Sequence, residues 1–285
     1  MDIIYRFDPD VPLDRLQPES AAKAREILET GNRRFCEILA RTRCDHHAES
    51  TLIVPCDARL LGVDPGGSAP RQEPFVALVG CADARVPPQM IFQRMSNEMF
   101  IIRVAGNVIG EEVLASVEYA LEHLRDGLRL VVVLGHTGCG AVTAAVDVYL
   151  RPLRFDEIGS TRSVRSLVYK LLFPVHGAAR ALENLWGDEV TSRPGYRAAL
   201  IEMAVCMNAA ETSYQLRRES VSHGATGIGV VFGVYDLATQ RVGLPSDAPG
   251  GFVGLYDAPE TAEDIVPIAE SIGRSEAIRA LLDEG

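Results

Sequence analysis

At 285 residues, 47% hydrophobic and 24% charged, the chain has an ordinary globular composition with enough apolar material for a full core. Its net charge of −11 argues against nucleic acid or an anionic membrane as a partner. No apolar run reaches membrane-spanning length, and Met1-Asp2-Ile3-Ile4-Tyr5-Arg6 lacks the charged-then-apolar order of a signal peptide. The expected location is cytoplasmic, where Cys36, Cys44, Cys56, Cys81, Cys139 and Cys206 stay reduced, as ligands or as small buried apolar residues.

Residues 1–19 read as irregular, with Pro9, Pro12 and Pro18. Ser20 is placed to cap a helix through Ala21, Ala24, Ile27 and Leu28 towards Gly31. A second helical piece runs from Asn32 to about Arg41, with Phe35, Ile38 and Leu39 on one face. This amphipathic arm, residues 1–45, must pack on something, and another subunit is one candidate. Residues 42–74 read as a loop around an apolar island, Leu52–Val54, with a strong turn at Asp64-Pro65-Gly66-Gly67-Ser68. Cys44-Asp45-His46-His47 and Cys56-Asp57-Ala58-Arg59 look metal-like. Neither ends a clear apolar strand, so both read as solvated loop.

Phe75–Gly80 is a continuous apolar run, as in a buried parallel strand, and Met99–Val104 is the next candidate. Glu111 to about Arg125 carries Val113, Leu114, Val117, Ala120, Leu121 and Leu124 at helical spacing, with Gly127 as a stop. Leu128–Leu134 is the third and most apolar strand, followed by a helix from Gly140 to about Leu150. Leu167–Phe173 is apolar, Pro174 interrupts it, and Ala178–Trp186 reads as a separate helix. Ala198 to about Arg218 is one long helix, Gly227–Val234 a fourth strand and Val242–Leu244 its short partner. A Pro/Gly loop near 245–251 precedes a helix from about Glu260 to Leu282, broken near Gly273.

Strands alternating with helices predict an α/β fold: a mostly parallel four-stranded sheet flanked by helices, with a short fifth strand and an N-terminal helical arm. One domain is expected over 1–285, with its core in 70–150 and 200–245, an insertion at 151–195 and a C-terminal extension at 246–285.

In such sheets the site lies beyond the carboxyl ends of the strands. Two apolar runs end there in metal-capable side chains: Cys81 after one, and His136-Thr137-Gly138-Cys139 after the other. Thiolate and imidazole suit zinc, and Cys₂His leaves a fourth tetrahedral position open. Zinc lowers the pKa of bound water from about 16 to about 7. Asp83 has two possible roles. It ligates the metal and fills the open position, or it pairs with Arg85 and accepts a hydrogen bond from water on the metal. The plainer alternative is an ion pair at a strand end, with Cys81 and Cys139 as buried thiols.

These residues resemble the β-class carbonic anhydrases. The resemblance rests on Cys81-x-Asp83-x-Arg85 and His136-x-x-Cys139-Gly140, with Arg103-Val104-Ala105-Gly106-Asn107, Ser116-Val117-Glu118-Tyr119-Ala120 and Gly233-Val234-Tyr235-Asp236-Leu237. It covers residues 70–150 closely and 200–245 more loosely. It implies one Zn²⁺ per chain on Cys81, His136 and Cys139, interconversion of CO₂ and bicarbonate, and a homodimer or higher homo-oligomer. It implies Asp83 and Arg85 as the catalytic dyad and Gln72, Phe100, Tyr119, Gly106 and Asn107 as substrate-binding. Gln72 would donate a hydrogen bond to a substrate oxygen, and Phe100 and Tyr119 would wall a small apolar pocket.

In another subgroup of this family the aspartate closes onto the metal, and bicarbonate binds an inhibitory site that uses a tryptophan. Here that position is Leu78, although Arg103 matches the same site's arginine. The expectation is therefore the open, plant-like site. Asn97-Glu98 departs from the Gly-acidic pair usual before the second strand. Two other functions compete: hydrolysis of COS or CS₂ at the same site, and a non-catalytic zinc-stabilised scaffold. Intact Asp83, Arg85 and Gln72 argue against the scaffold.

Overall fold

The computed structural model describes residues 2–6, 17–44, 51–55, 69–155, 161–247 and 251–284. The two metal-like clusters near Cys44 and Cys56 lie outside these residues, apart from the place of Cys44 at a helix end. β1 (Asp2–Arg6) pairs in parallel with β2 (Thr51–Pro55) as a separate two-stranded sheet, Ile3 beside Leu52. Both segments were expected to be irregular. Each apolar run is too short to show a period, and only their mutual pairing makes them strands.

α1 (Ala21–Cys44) is one helix where two were expected. Gly31 is not a stop but a point of close approach: a Cβ there would lie 1.9 Å from the Phe92 carbonyl oxygen. Beside it, buried Asn32 donates to the Gln240 carbonyl (2.9 Å) and accepts from the Val242 N–H (2.9 Å). The arm therefore packs on its own chain, with Ala24, Leu28 and Phe35 against Val76, Leu78 and Val132 of the main sheet. Gly31→Ala should cost about 1–3 kcal/mol in chemical denaturation, because overpacking against backbone outweighs the better helix propensity of alanine.

The main sheet follows in chain order: β3 (Val76–Gly80), α2 (Pro88–Ile91), β4 (Met99–Arg103), α3 (Glu111–His123), β5 (Leu130–His136) and α4 (Gly140–Leu150). Then come α5 (Arg162–Trp186), α6 (Tyr196–Ser222), β6 (Gly229–Tyr235), β7 (Val242–Gly243), β8 (Tyr256–Asp257), α7 (Ile265–Gly273) and α8 (Glu276–Asp283). Strands β4, β3, β5 and β6 are neighbours in that order and all parallel, while β7 and β8 add antiparallel pairs to β6. β8 is one strand more than the sequence suggested. Two residues are too few to leave a pattern.

Alternation along each strand sorts its side chains to two faces. Ala77, Val79, Val131, Val133, Val230 and Phe232 meet the helices of the larger core, whereas Val76, Leu78, Leu130, Val132 and Val231 meet α1. α5 is continuous through Pro174, contrary to the expected break. Its buried stripe of Val168, Leu171, Val175, Ala178 and Leu182 keeps helical spacing across the proline, and it shares the sheet's larger core. At the tail the break does occur. The Ser275 hydroxyl caps α8 by accepting from the Ile278 N–H (3.4 Å). Among the described residues no helix is long and apolar enough to cross a membrane.

One buried acid sits in this packing. Glu211 on α6 faces Gly177 of α5, where a Cβ would lie 3.5 Å from its Oε1. Burial pushes its carboxyl up from the ordinary 4.5 to about 7. The folded chain thus holds a proton there that the unfolded chain releases earlier. Its contribution is full below about pH 4.5 and declines as the pH rises to about 7. Glu211→Gln should remove this decline and stabilise the chain at pH 8 by up to about 3 kcal/mol, with little gain at pH 4.5.

Candidate metal centre

β3 leads on to β4 on one side, and β5 leads on to β6 on the other. The direction of winding reverses between β3 and β5, which opens a crevice at their carboxyl ends. Gly80 pairs with Leu134, so the chain leaves β3 at Cys81 beside the last residues of β5. His136 ends β5, a tight turn with Gly138 at φ 63° follows, and Cys139 precedes the first residue of α4. The ligand atoms of Cys81, His136 and Cys139 all lie within 4.8 Å of one another, and all three residues are buried.

His136 is 0% exposed. Its Nδ1 is 3.0 Å from the Thr137 carbonyl oxygen, an acceptor, so Nδ1 carries the proton and Nε2 presents its lone pair. Nε2 is buried without a hydrogen-bond partner, and the Asp83 Oδ2 lies 3.8 Å away. A buried acceptor left unmade costs about 1–3 kcal/mol. A cation among two sulfurs and this nitrogen removes that cost, so the donor set fits a metal ion that favours thiolate and imidazole.

The electrostatics agree. The Cys139 thiol beside it pulls the Cys81 thiol down to about 4, with further help from His136 and from the N–H groups of Asp83 and Gly106. The same pairing, with burial, pushes Cys139 up. Burial lowers the His136 imidazole, but contact with Cys81 outweighs it and the net shift is upward.

Asp83 lies at the edge of this cluster, held by a two-pronged grip. Arg85 donates from Nε to Oδ1 (2.9 Å) and from Nη2 to Oδ2 (2.6 Å), and its backbone N–H also reaches Oδ1 (2.9 Å). The Arg85 guanidinium holds this carboxyl well below the usual carboxylate range. Arg103 donates from Nε to the Cys81 carbonyl (3.0 Å) and from Nη2 to the Asp83 carbonyl (2.5 Å). It thereby clamps the loop that carries both residues. Leu78 is wholly buried on the α1 face of the sheet.

Gly106 also reaches the cluster, and Asn107 follows it in the chain. The Gly106 N–H donates to Cys81 Sγ (3.3 Å). At φ 67°, with Ala141 and Leu171 side-chain atoms 3.1 Å from where a Cβ would stand, this position needs glycine. Asn107 is 2% exposed, and its Nδ2 has no hydrogen-bond partner.

Gln72, Phe100 and Tyr119 lie elsewhere. Phe100 pairs with Ala77 across β3 and β4, which puts it about 13 Å along the strand from the level of Cys81. Its ring is 6.1 Å from that of Tyr119, which in turn is 4.8 Å from His123. Gln72 and His123 line one small surface cavity. Within one chain the three residues form a second group near the opposite end of β3. Asn97 braces that end: it adopts φ 67°, accepts from the Glu73 N–H (3.0 Å) and donates to the Arg71 carbonyl (2.8 Å). Asparagine tolerates the left-handed conformation, which accounts for its place where the family usually has glycine.

Sequence reasoning missed the supports behind the cluster. Thr137 donates to Asp236 Oδ1 (3.2 Å) and accepts from the Leu237 N–H (2.9 Å). Glu202 Oε1 accepts from the Gly138 N–H (2.9 Å), and Asn208 Nδ2 donates to the Gly106 carbonyl (2.8 Å). The available signal was polar residues flanking the apolar run Met203–Met207, all of which is buried.

A family model described as "Carbonic anhydrase" matches residues 76–242, more than half of the chain. Carbonic anhydrase 2 of Mycobacterium tuberculosis is 40% identical over 129 residues, which is 45% of this chain and 53% of that protein. Carbonic anhydrase 1 of Escherichia coli O157:H7 is 42% identical over 156 residues, 49% of this chain and 69% of that protein. The chain spans about half the length of the M. tuberculosis relative, and 36% of the Mycolicibacterium smegmatis carbonic anhydrase that it also matches. Among solved structures, the b-carbonic anhydrase CafA of Aspergillus fumigatus superimposes with a TM-score of 0.49 at 24% identity, covering 83% of this chain and 93% of that one. With the family model running from β3 through β7, and with the Cys81–His136–Cys139 cluster in the crevice it encloses, this chain belongs to the β-class carbonic anhydrase family.

Proposed function

We propose that this chain catalyses the reversible hydration of CO₂ to bicarbonate and a proton, with one zinc ion held by Cys81, His136 and Cys139. The observation that carries this reading is the buried His136 Nε2 lone pair, unpartnered and within 4.8 Å of two thiol sulfurs. When bound there, zinc supplies an acidified water at neutral pH. Asp83, kept ionised by Arg85, can only accept a hydrogen bond, so it orients a water O–H and leaves a lone pair free for CO₂. Its engagement with Arg85 supports the open site, in which Asp83 is not a metal ligand. Arg103 holds the backbone of Cys81 and Asp83 in register.

Gln72, Phe100 and Tyr119 serve the substrate from a second copy of the chain. Two features support this. The three residues lie too far along β3 to serve Cys81 in their own chain, and Tyr119 is 46% exposed. β4 is an edge strand whose apolar residues Met99–Ile102 are only half-buried, a surface that a homodimer or larger homo-oligomer would cover. The thiol ligands need a reducing compartment, which supports a cytoplasmic site of action.

The test is zinc quantification together with stopped-flow CO₂ hydration. One zinc per chain and rapid hydration are expected. Sulfide release from COS with negligible CO₂ hydration would move the assignment to a COS or CS₂ hydrolase. Bound zinc with neither activity would indicate a scaffold.

A further inference from the structure

We propose that Glu202 and Asn208 are positioning residues for the two metal thiolates, acting through the backbone of Gly138 and Gly106. This rests on the metal site proposed above. Both residues come from α6, about 9 Å apart along its axis, so one rigid helix braces both halves of the cluster.

On one side Glu202 Oε1 accepts from the Gly138 N–H at 2.9 Å. Gly138 lies between His136 and Cys139 and takes φ 63°, a conformation with few local restraints in glycine. The Glu202 bond fixes the peptide plane that leads into Cys139. On the other side Asn208, 5% exposed, donates to the Gly106 carbonyl at 2.8 Å. The N–H of that same Gly106 donates to Cys81 Sγ at 3.3 Å. Asn208 thus holds in place the residue whose amide donates to the Cys81 sulfur. Neither side chain reaches a ligand atom directly. Each controls where a thiolate sits by fixing a glycine that would otherwise be the loosest point of its loop.

The test compares shape-preserving variants by chelator-competition zinc affinity and by the thiolate-to-metal charge-transfer band of the cobalt(II)-substituted protein. Asn208→Asp keeps the shape but replaces the donor with an acceptor facing the Gly106 carbonyl. Glu202→Leu removes the acceptor, whereas Glu202→Gln retains it. Asn208→Asp and Glu202→Leu should each weaken zinc binding about ten- to a hundred-fold and shift the cobalt band, while Glu202→Gln stays within about threefold of wild type. Wild-type affinity and an unshifted band in Asn208→Asp and Glu202→Leu would overturn the proposal, even if melting temperatures fall. If Glu202→Leu does not fold, Asn208→Asp decides. A wild-type chain that binds no zinc would overturn the metal site itself, and this inference with it, and is read separately.

Discussion

His136→Ala is expected to lose zinc and CO₂ hydration together. The imidazole is the only nitrogen donor in the cluster, and two sulfurs alone leave the ion under-coordinated. Zinc affinity should fall by more than the ~10²-fold that loss of an outer hydrogen-bond partner costs. The stability signature is distinctive. A metal that binds only the folded chain stabilises it by mass action, so a chelator should lower the melting temperature of the wild type. The His136→Ala chain should be indifferent to the same chelator. Its metal-free form also escapes the cost of the unpartnered Nε2, which offsets part of the cavity left by the ring. A His136→Ala protein that keeps stoichiometric zinc and full hydration would falsify the assignment.

Asp83→Asn should separate binding from rate. The three ligands remain, so zinc content is expected to stay near one per chain. The amide cannot accept from both Arg85 prongs at once, and it presents a donor where the reaction needs an acceptor. A loss of about 10²-fold or more in kcat is expected, comparable to the loss of a side chain positioned on a reacting O–H. The pH dependence follows from the direction of the Asp83 shift. Arg85 depresses its folded value, so its stabilisation is present above the ordinary 3.8 and is lost only as pH falls through the lower folded value. Asp83 should therefore stay ionised across neutral pH. Any rate transition near neutrality should persist in form in Asp83→Asn, at lower amplitude. Stopped-flow profiles of both proteins check this.

The Cys81–His136–Cys139 cluster was legible because its chemistry is local. A thiol or imidazole immediately after a continuous apolar run sits at a strand end whatever the rest of the chain does, and Cys81 and His136 both do so. The long helix after Pro194-Gly195 was legible by its length and apolar content. Pro174 misled because a proline ordinarily ends a helix, yet the stripe from Val168 to Leu182 passes through it unbroken. Gly31 misled in the same way: a glycine reads as a stop until Phe92 is seen pressed against it.

By itself, then, the amino-acid order determined the parallel α/β sheet, the Cys81–His136–Cys139 donor set and the Asp83–Arg85 pair. The sheet is written in repeated apolar runs, the Asp83–Arg85 pair in close spacing, and the donor set in side chains that end two of those runs. Only the tertiary structure decided three other matters. α1 folds back onto its own sheet, Gln72, Phe100 and Tyr119 gather near the far end of β3, and Glu202 and Asn208 of α6 hydrogen-bond to the backbone of Gly138 and Gly106. The physical reason is common to all three. A contact between segments far apart in the chain depends on strand order and helix placement, and no single stretch of sequence carries that information.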